Sequence, residues 1–154
     1  MKVLLMSDSH GKTDLVKKIM GIHSDADVMI HCGDLEDANY DLKNLKIVKG
    51  NNDVFYDYPD KLILELEGHR VLIIHSHQFY FHDYALPENL AKHAIKEDCD
   101  ILFFGHTHKA YFRECNGVTL VNPGALSYAR DGKGISYAIV YINENDINVD
   151  IIRV

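Results

Sequence analysis

Five apolar runs in this sequence break off into side chains that bind metal ions. VLLM is followed by Asp8-Ser9-His10, VMIHC by Gly33-Asp34, and LKIVK by Gly50-Asn51-Asn52-Asp53. VLII is followed by His75-Ser76-His77, and ILFF by Gly105-His106-Thr107-His108. The donors are imidazole, carboxylate and amide, a set that suits manganese, iron, cobalt, nickel or zinc better than magnesium or calcium. Metal-assisted hydrolysis is the chemistry such a set can support. A single D-x-H or H-x-H is a weak motif; its recurrence after five separate runs is the signal. Asp8/His10 and His106/His108 are i, i+2 pairs, which share a face wherever strand conformation continues. His23, His69, His82 and His93 lack this context and read as surface or partly buried residues. Cys32 lies inside its apolar run and reads as core packing, not as a thiolate ligand.

Donors so far apart in sequence meet only if the elements before them end at one place. Val3–Met6, Ala26–His31 and Leu45–Val48 read as strands, with Leu15, Val16, Ile19 and Met20 at helical spacing after the first. Leu62–Leu66 and Val71–Ile74 form an expected hairpin through Glu67-Gly68-His69-Arg70, and Pro87–Glu97 reads as a second helix. Runs at 101–104, 110–113, 118–121, 136–142 and 147–152 read as a chain of antiparallel strands. The class is therefore α/β, two packed sheets with outer helices. Strand termini of such sheets share a crevice outside their carboxyl ends, where ligands bind.

Composition bounds the rest. The chain has 154 residues, 47% of them hydrophobic, enough for one domain spanning 1–154. Its formal charge of -7 disfavours an electrostatic grip on nucleic acid. Cys32, Cys99 and Cys115 show no paired spacing, and MKVLLMSDSHG lacks the features of a signal peptide. Both point to a reducing cytoplasm. No apolar run is long enough to span a bilayer, so a soluble protein is expected. A homo-oligomer is left open.

Taken in order, DSH, GD, GNND, the His75 cluster and GHTH resemble the motifs of calcineurin-like metallophosphoesterases. The short length, with Asn122-Pro123-Gly124-Ala125 and the following SYARDG, is most similar to the small bacterial and archaeal phosphodiesterase subfamily. The likeness runs from Met1 to about the strand at 136–142. It implies a four-layer α/β/β/α sandwich of two mixed sheets flanked by helices. It also implies two divalent ions, with manganese expected first. One would be held by Asp8, His10, Asp34 and His108, the other by Asp34, Asn51, His75 and His106, with Asp34 bridging. Two ions about 3.5–4 Å apart lower the pKa of a bridging water, and the resulting hydroxide attacks a small phosphodiester in line.

Two departures bear on catalysis. Many relatives have His at the position of Asn52, and an amide has no titratable proton for a leaving oxygen. His77 is the substitute acid, with a structural role equally open. Ala125 stands where the subfamily commonly has Ser. Asp53 is expected to orient a ligand or cap its loop. Arg130, the one arginine beside a motif loop, and Asn122 are the residues expected to face substrate. Phe55, Tyr56, Tyr80 and Phe81 either wall an aryl group or, in the favoured reading, pack in loops. A phosphomonoesterase and a metal-free interaction scaffold, like the retromer subunit of this fold, are the alternatives. A metallo-β-lactamase-type hydrolase would need a compact H-x-H-x-D-H run, which is missing.

Overall fold

The computed structural model describes residues 1–38, 42–79 and 86–154. One sheet is built from β1 (Lys2–Met6), β2 (Val28–His31), β3 (Leu45–Ile47), β9 (Ser136–Asn143) and β10 (Asp146–Arg153), in the order β10-β9-β1-β2-β3. The other holds β4 (Lys61–Leu66), β5 (His69–Ile74), β6 (Ile101–Phe103), β7 (Ala110–Cys115) and β8 (Val118–Pro123), in the order β4-β5-β6-β8-β7. Both are mixed. β1, β2 and β3 run parallel, as do β5, β6 and β8, and the remaining strands are antiparallel additions at the edges.

Strands buried on both faces read as unbroken apolar runs. In β1, Val3 and Leu5 face the other sheet and meet Ile30, Val71, Ile73, Ile101, Phe103 and Val121. Leu4 and Met6 point the other way, onto Val16 and Ile19 of α1 (Thr13–Ile22). On the far side Leu72, Leu102 and Leu120 pack against Leu90, Ala91 and Ala94 of α2 (Leu86–Lys96). The layers are thus helix, sheet, sheet, helix. Each fully buried Leu, Ile, Val or Phe contributes ~1.5–3 kcal/mol of transfer free energy, so this double burial is the main support of the fold.

The second half departs from the expected antiparallel chain. β6 is parallel to both neighbours, β5 and β8. The segment from β5 to β6 contains α2, long enough for a crossover connection, and β7 turns back on β8 as a hairpin at the edge. The β4–β5 turn is also tighter than expected. Only Glu67 and Gly68 form it, at φ +51° and +86°, and His69 and Arg70 belong to β5. Cys32 and Cys99 are buried free thiols, and Cys115 is partly buried. Among the described residues no helix is long and apolar enough to cross a membrane.

Candidate metal centre

The donor clusters follow the carboxyl ends of β1, β2 and β3 in one sheet and of β5 and β6 in the other. Strand alternation is not what aims the donors. Asp8, His10, Asp34, His106 and His108 all have positive φ, between 45° and 67°. After β1, β2 and β6 the chain passes through the left-handed region, which costs an ordinary residue roughly 1–2 kcal/mol. Interlocking loops hold it there. Asp8 N–H donates to Gly33 O at 3.0 Å, His10 N–H to Asp34 O at 3.0 Å, and Ser127 N–H to Asp8 O at 3.0 Å. Arg130 N–H donates to His108 O at 2.9 Å, so the loop after β8 straps the Asp8 and His108 loops together. Glycine opens two of the motifs because nothing larger fits. A Cβ on Gly50 would lie 2.1 Å from Asp34 Oδ1, and one on Gly105 would lie 2.1 Å from Ser7 Oγ.

Two groups of donors converge: Asp8, His10 and His108, and Asp8, Asp34 and His75, the ligand atoms of each lying within 4.8 Å of one another. Their outer partners fix which nitrogen carries the proton. His10 Nδ1 meets Glu36 Oε1 at 2.5 Å, His108 Nδ1 meets Tyr128 O at 3.0 Å, and His75 Nδ1 meets Cys32 O at 2.7 Å. A carboxylate or carbonyl only accepts, so in each ring Nδ1 donates and Nε2 presents a lone pair to the centre. His10 and His108 Nε2 then face each other at 3.4 Å, with Asp8 Oδ1 3.1 Å from the latter. On the other side His75 Nε2 stands 3.1 Å from Asn51 Oδ1 and 3.4 Å from Asp34 Oδ2. Acceptors packed against acceptors repel unless a cation or proton lies among them. Asp8 makes the same point: Oδ2 accepts from the Ser7 hydroxyl at 2.5 Å and His106 N–H at 3.0 Å, while Oδ1 is buried without a well-directed donor. The residues present therefore fit divalent cations.

The titration behaviour is coupled. Burial works against ionisation of Asp34, yet hydrogen bonds from His75 and Asn52 hold its carboxyl well below the usual range. Asp8 is likewise opposed by burial and carried below its ordinary value by His108, His75 and Ser7. Burial lowers His75, but Asp34 and Asp8 outweigh it and raise the net value. Burial, reinforced by His75, pushes His106 down to about 4. Ions and protons therefore compete for the same donors.

Comparison with known proteins agrees with this geometry. The model of the calcineurin-like phosphoesterase superfamily domain matches residues 1–145. The chain belongs to that superfamily. It is 36% identical to the probable metallophosphoesterase YsnB of Bacillus subtilis, over 95% of this chain and 86% of the relative. It is 28% identical to the phosphodiesterase MJ0936 of Methanocaldococcus jannaschii, over 80% of this chain and 83% of the relative. Among solved structures, a conserved protein of Streptococcus pneumoniae, a predicted phosphoesterase, superposes with a TM-score of 0.89 at 28% identity, covering 99% of this chain and 88% of that one. Membership of this metallophosphoesterase superfamily implies divalent metal ions.

Against the superfamily pattern, Asn51 reaches the centre through Oδ1, and the His106 ring stands 5.1 Å from that of His75, outside both converging groups. Asn52 braces Asp34 twice, backbone N–H to Oδ1 and side-chain Nδ2 to Oδ2, both at 2.8 Å. Asp53 is fully buried. It accepts from Asp34 N–H at 2.7 Å, Glu36 N–H at 2.8 Å and Gly50 N–H at 2.8 Å, so it orients two ligand loops and does not itself react. Asn122 is also fully buried: its amide donates to Gly105 O at 2.9 Å and Thr107 Oγ1 at 3.1 Å, which corrects the expected substrate contact to support of the GHTH loop. Exposed His77 lies with its ring 5.7 Å from His75 and 6.2 Å from His106. Partial burial, then His75, lower its pKa. Arg130 rests over the Tyr128 ring at 5.4 Å and donates to its hydroxyl at 2.8 Å. Ala125 is buried in the strap.

The favoured loop packing of aromatics fails at Phe55, which is 94% exposed, while Tyr56 stacks on Tyr58. Tyr80, Phe81 and His82 lie outside the described residues. Of the other histidines set aside, His23 pairs with the Tyr137 hydroxyl, His69 with Asp100, and His93 packs near Phe79. Three contributors went unread: Glu36 behind His10, Tyr128 beside His108 at 4.4 Å between ring centroids, and buried His31, whose Nε2 meets Ser9 Oγ at 3.1 Å. Burial pushes His31 down to about 4, which keeps it a neutral support. Its place inside an apolar run was the signal available.

Proposed function

We propose that the protein is a phosphodiesterase that holds two divalent cations, manganese first, and hydrolyses small diesters. One ion belongs with Asp8, His10, Asp34 and His108, the other with Asp34, Asn51, His75 and His106. The observation that carries this reading is the convergence of lone pairs from His10, His108 and His75, each with its Nδ1 tied by an outer acceptor. Asp34 takes the bridging role because its Oδ2 is nearly equidistant from the two sides, 3.7 Å from His10 Nε2 and 3.4 Å from His75 Nε2. Asp8 Oδ1 is less evenly placed, 3.1 Å from His108 and 3.9 Å from His75. When bound, a pair of ions supplies Lewis acidity toward phosphoryl oxygens and lowers the pKa of water.

The chain's own residues limit the leaving group. Asn52 is committed to Asp34, and His77, with its lowered pKa, is neutral near pH 7. A departing oxygen therefore meets no strong side-chain acid, and esters with stable leaving groups are the best substrates. Diesters are favoured over monoesters because a dianion needs more cationic contacts than Arg130 offers, and the archaeal relative is named a phosphodiesterase. Elemental analysis and calorimetric titration should find two ions per chain, and bis(p-nitrophenyl) phosphate should be cleaved with higher kcat/KM than p-nitrophenyl phosphate. Asp34→Asn should weaken both uptake steps, each by more than the roughly 10- to 100-fold typical of losing an outer partner. A limit of one ion under metal excess, or faster monoester cleavage, would overturn the reading.

A further inference from the structure

A pocket of about 190 Å³ opens beside the metal centre, between the start of α2 and the ends of β6 and β7. Leu86, Phe104 and Tyr111 give it an apolar, partly aromatic wall, and Thr107, Lys109 and Arg130 complete the lining. The pocket and the centre share structure. Thr107 lies between the donors His106 and His108, and Arg130 N–H is bonded to His108 O. The electrostatics of the pocket oppose those of the chain. The protein carries a formal charge of -7, yet among the described residues the lining contains two cations and no carboxylate. Lys109 is exposed, and among the described residues its ammonium has no ion-pair partner. The Arg130 guanidinium spends one N–H on the Tyr128 hydroxyl and keeps the others. An apolar pocket with a few convergent polar groups is the usual form of a small-molecule site, and two unneutralised cations at its rim select for an anion.

We propose that this pocket is the specificity subsite of the enzyme and takes the organic arm of the substrate, a ring-sized apolar body that carries its own carboxylate or phosphate. The proposal rests on the phosphoesterase reading above. It also assigns the two ends of the site. The pocket lies on the Thr107–Lys109–Arg130 side, whereas Asn52 and His77 stand on the His75 side, so the arm retained on phosphorus lies in the pocket and the leaving oxygen departs toward His77.

Three probes separate the parts of this claim: methylphosphonate, benzylphosphonate and 4-carboxybenzylphosphonate, titrated calorimetrically into the manganese-loaded protein. Burying the ring should tighten binding by about tenfold over methyl, and the carboxylate should add about tenfold more. Lys109→Ala should remove most of the carboxylate gain, and Lys109→Glu should reverse its sign. Methylphosphonate affinity is the reference for each variant, so any general change in anion binding at the centre is divided out. Lys109 is exposed, so neither substitution threatens folding. Equal affinity for the three probes, or a carboxylate gain that survives Lys109→Glu, would overturn the subsite alone. Failure of all three to bind, methylphosphonate included, would overturn the phosphoesterase reading together with the subsite.

Discussion

The two sides of the metal centre are built differently. On the His10–His108 side each imidazole is backed by an acceptor of its own, Glu36 or the Tyr128 carbonyl, and Tyr128 covers both rings at centroid distances of 6.3 and 4.4 Å. On the other side His75 is backed by Cys32 O, but His75, His77 and His106 crowd one another at 5.1–6.2 Å. Their neighbours are imidazoles, and protonation of any one opposes protonation of the next. One side fixes its rings with outer acceptors; the other keeps His77 and His106 neutral. The difference teaches that a nearly symmetric donor set can present two unlike surroundings.

Asp53 is where that asymmetry can be broken outright, since its carboxylate serves the loops of both sides. Asp53→Ala leaves three N–H groups without acceptors, two of them buried at about 1–3 kcal/mol each. Chemical denaturation should show a loss of several kcal/mol, and calorimetry should show both uptake steps weakened together. A variant that is stable and binds normally would show that water replaces the carboxylate.

Glu36→Gln sharpens the comparison from one side. Loss of an outer partner typically costs roughly 10- to 100-fold in metal affinity. Only one of the two uptake steps should move by that amount, with Glu36→Asp restoring part of it. Nitrogen-15 shifts of His10 in the metal-free protein should report loss of the Nδ1–H tautomer. Equal weakening of both steps would erase the distinction between the sides.

Asn52→His probes the opposite side and should have the smallest effect. It offers a proton to the leaving oxygen but removes the amide that braces Asp34. Any gain on poor leaving groups should fall well short of the roughly 10²-fold that a positioned general acid contributes. The measurement is the slope of log rate against leaving-group pKa for a series of diesters, which should flatten slightly in the variant. An unchanged slope with unchanged metal affinity would mean that another group already supplies the proton.

Much of this was legible in the sequence because burial on two faces writes itself as unbroken apolar runs. Val3–Met6, Val71–Ile74 and Ile101–Phe103 could be read as strands, and the polar clusters after them marked one edge of the sandwich. The direction of β6 could not be read, since periodicity is the same for parallel and antiparallel strands. The left-handed backbone at Asp8 and His108 is only weakly written in the sequence, since Asp and His enter that region more often than most residues but seldom. Glu36 looks like any acid in a surface loop, and only the fold brings it to His10. Asn122 and Phe55 are the reverse case: residue type favoured one environment, and the tertiary structure supplied another.

The position of β1 also governs how the molecule must be made. Its residues pair with β2 on one side and with β9, from Ser136 onward, on the other. The Met1 ammonium donates to Ile142 O at 2.7 Å. Until β9 is in place β1 is paired on one side only, with an apolar edge open to other strands. The strap that clips Asp8 to His108 lies between β8 and β9, so the same long-range closure completes both the sheet and the donor loops.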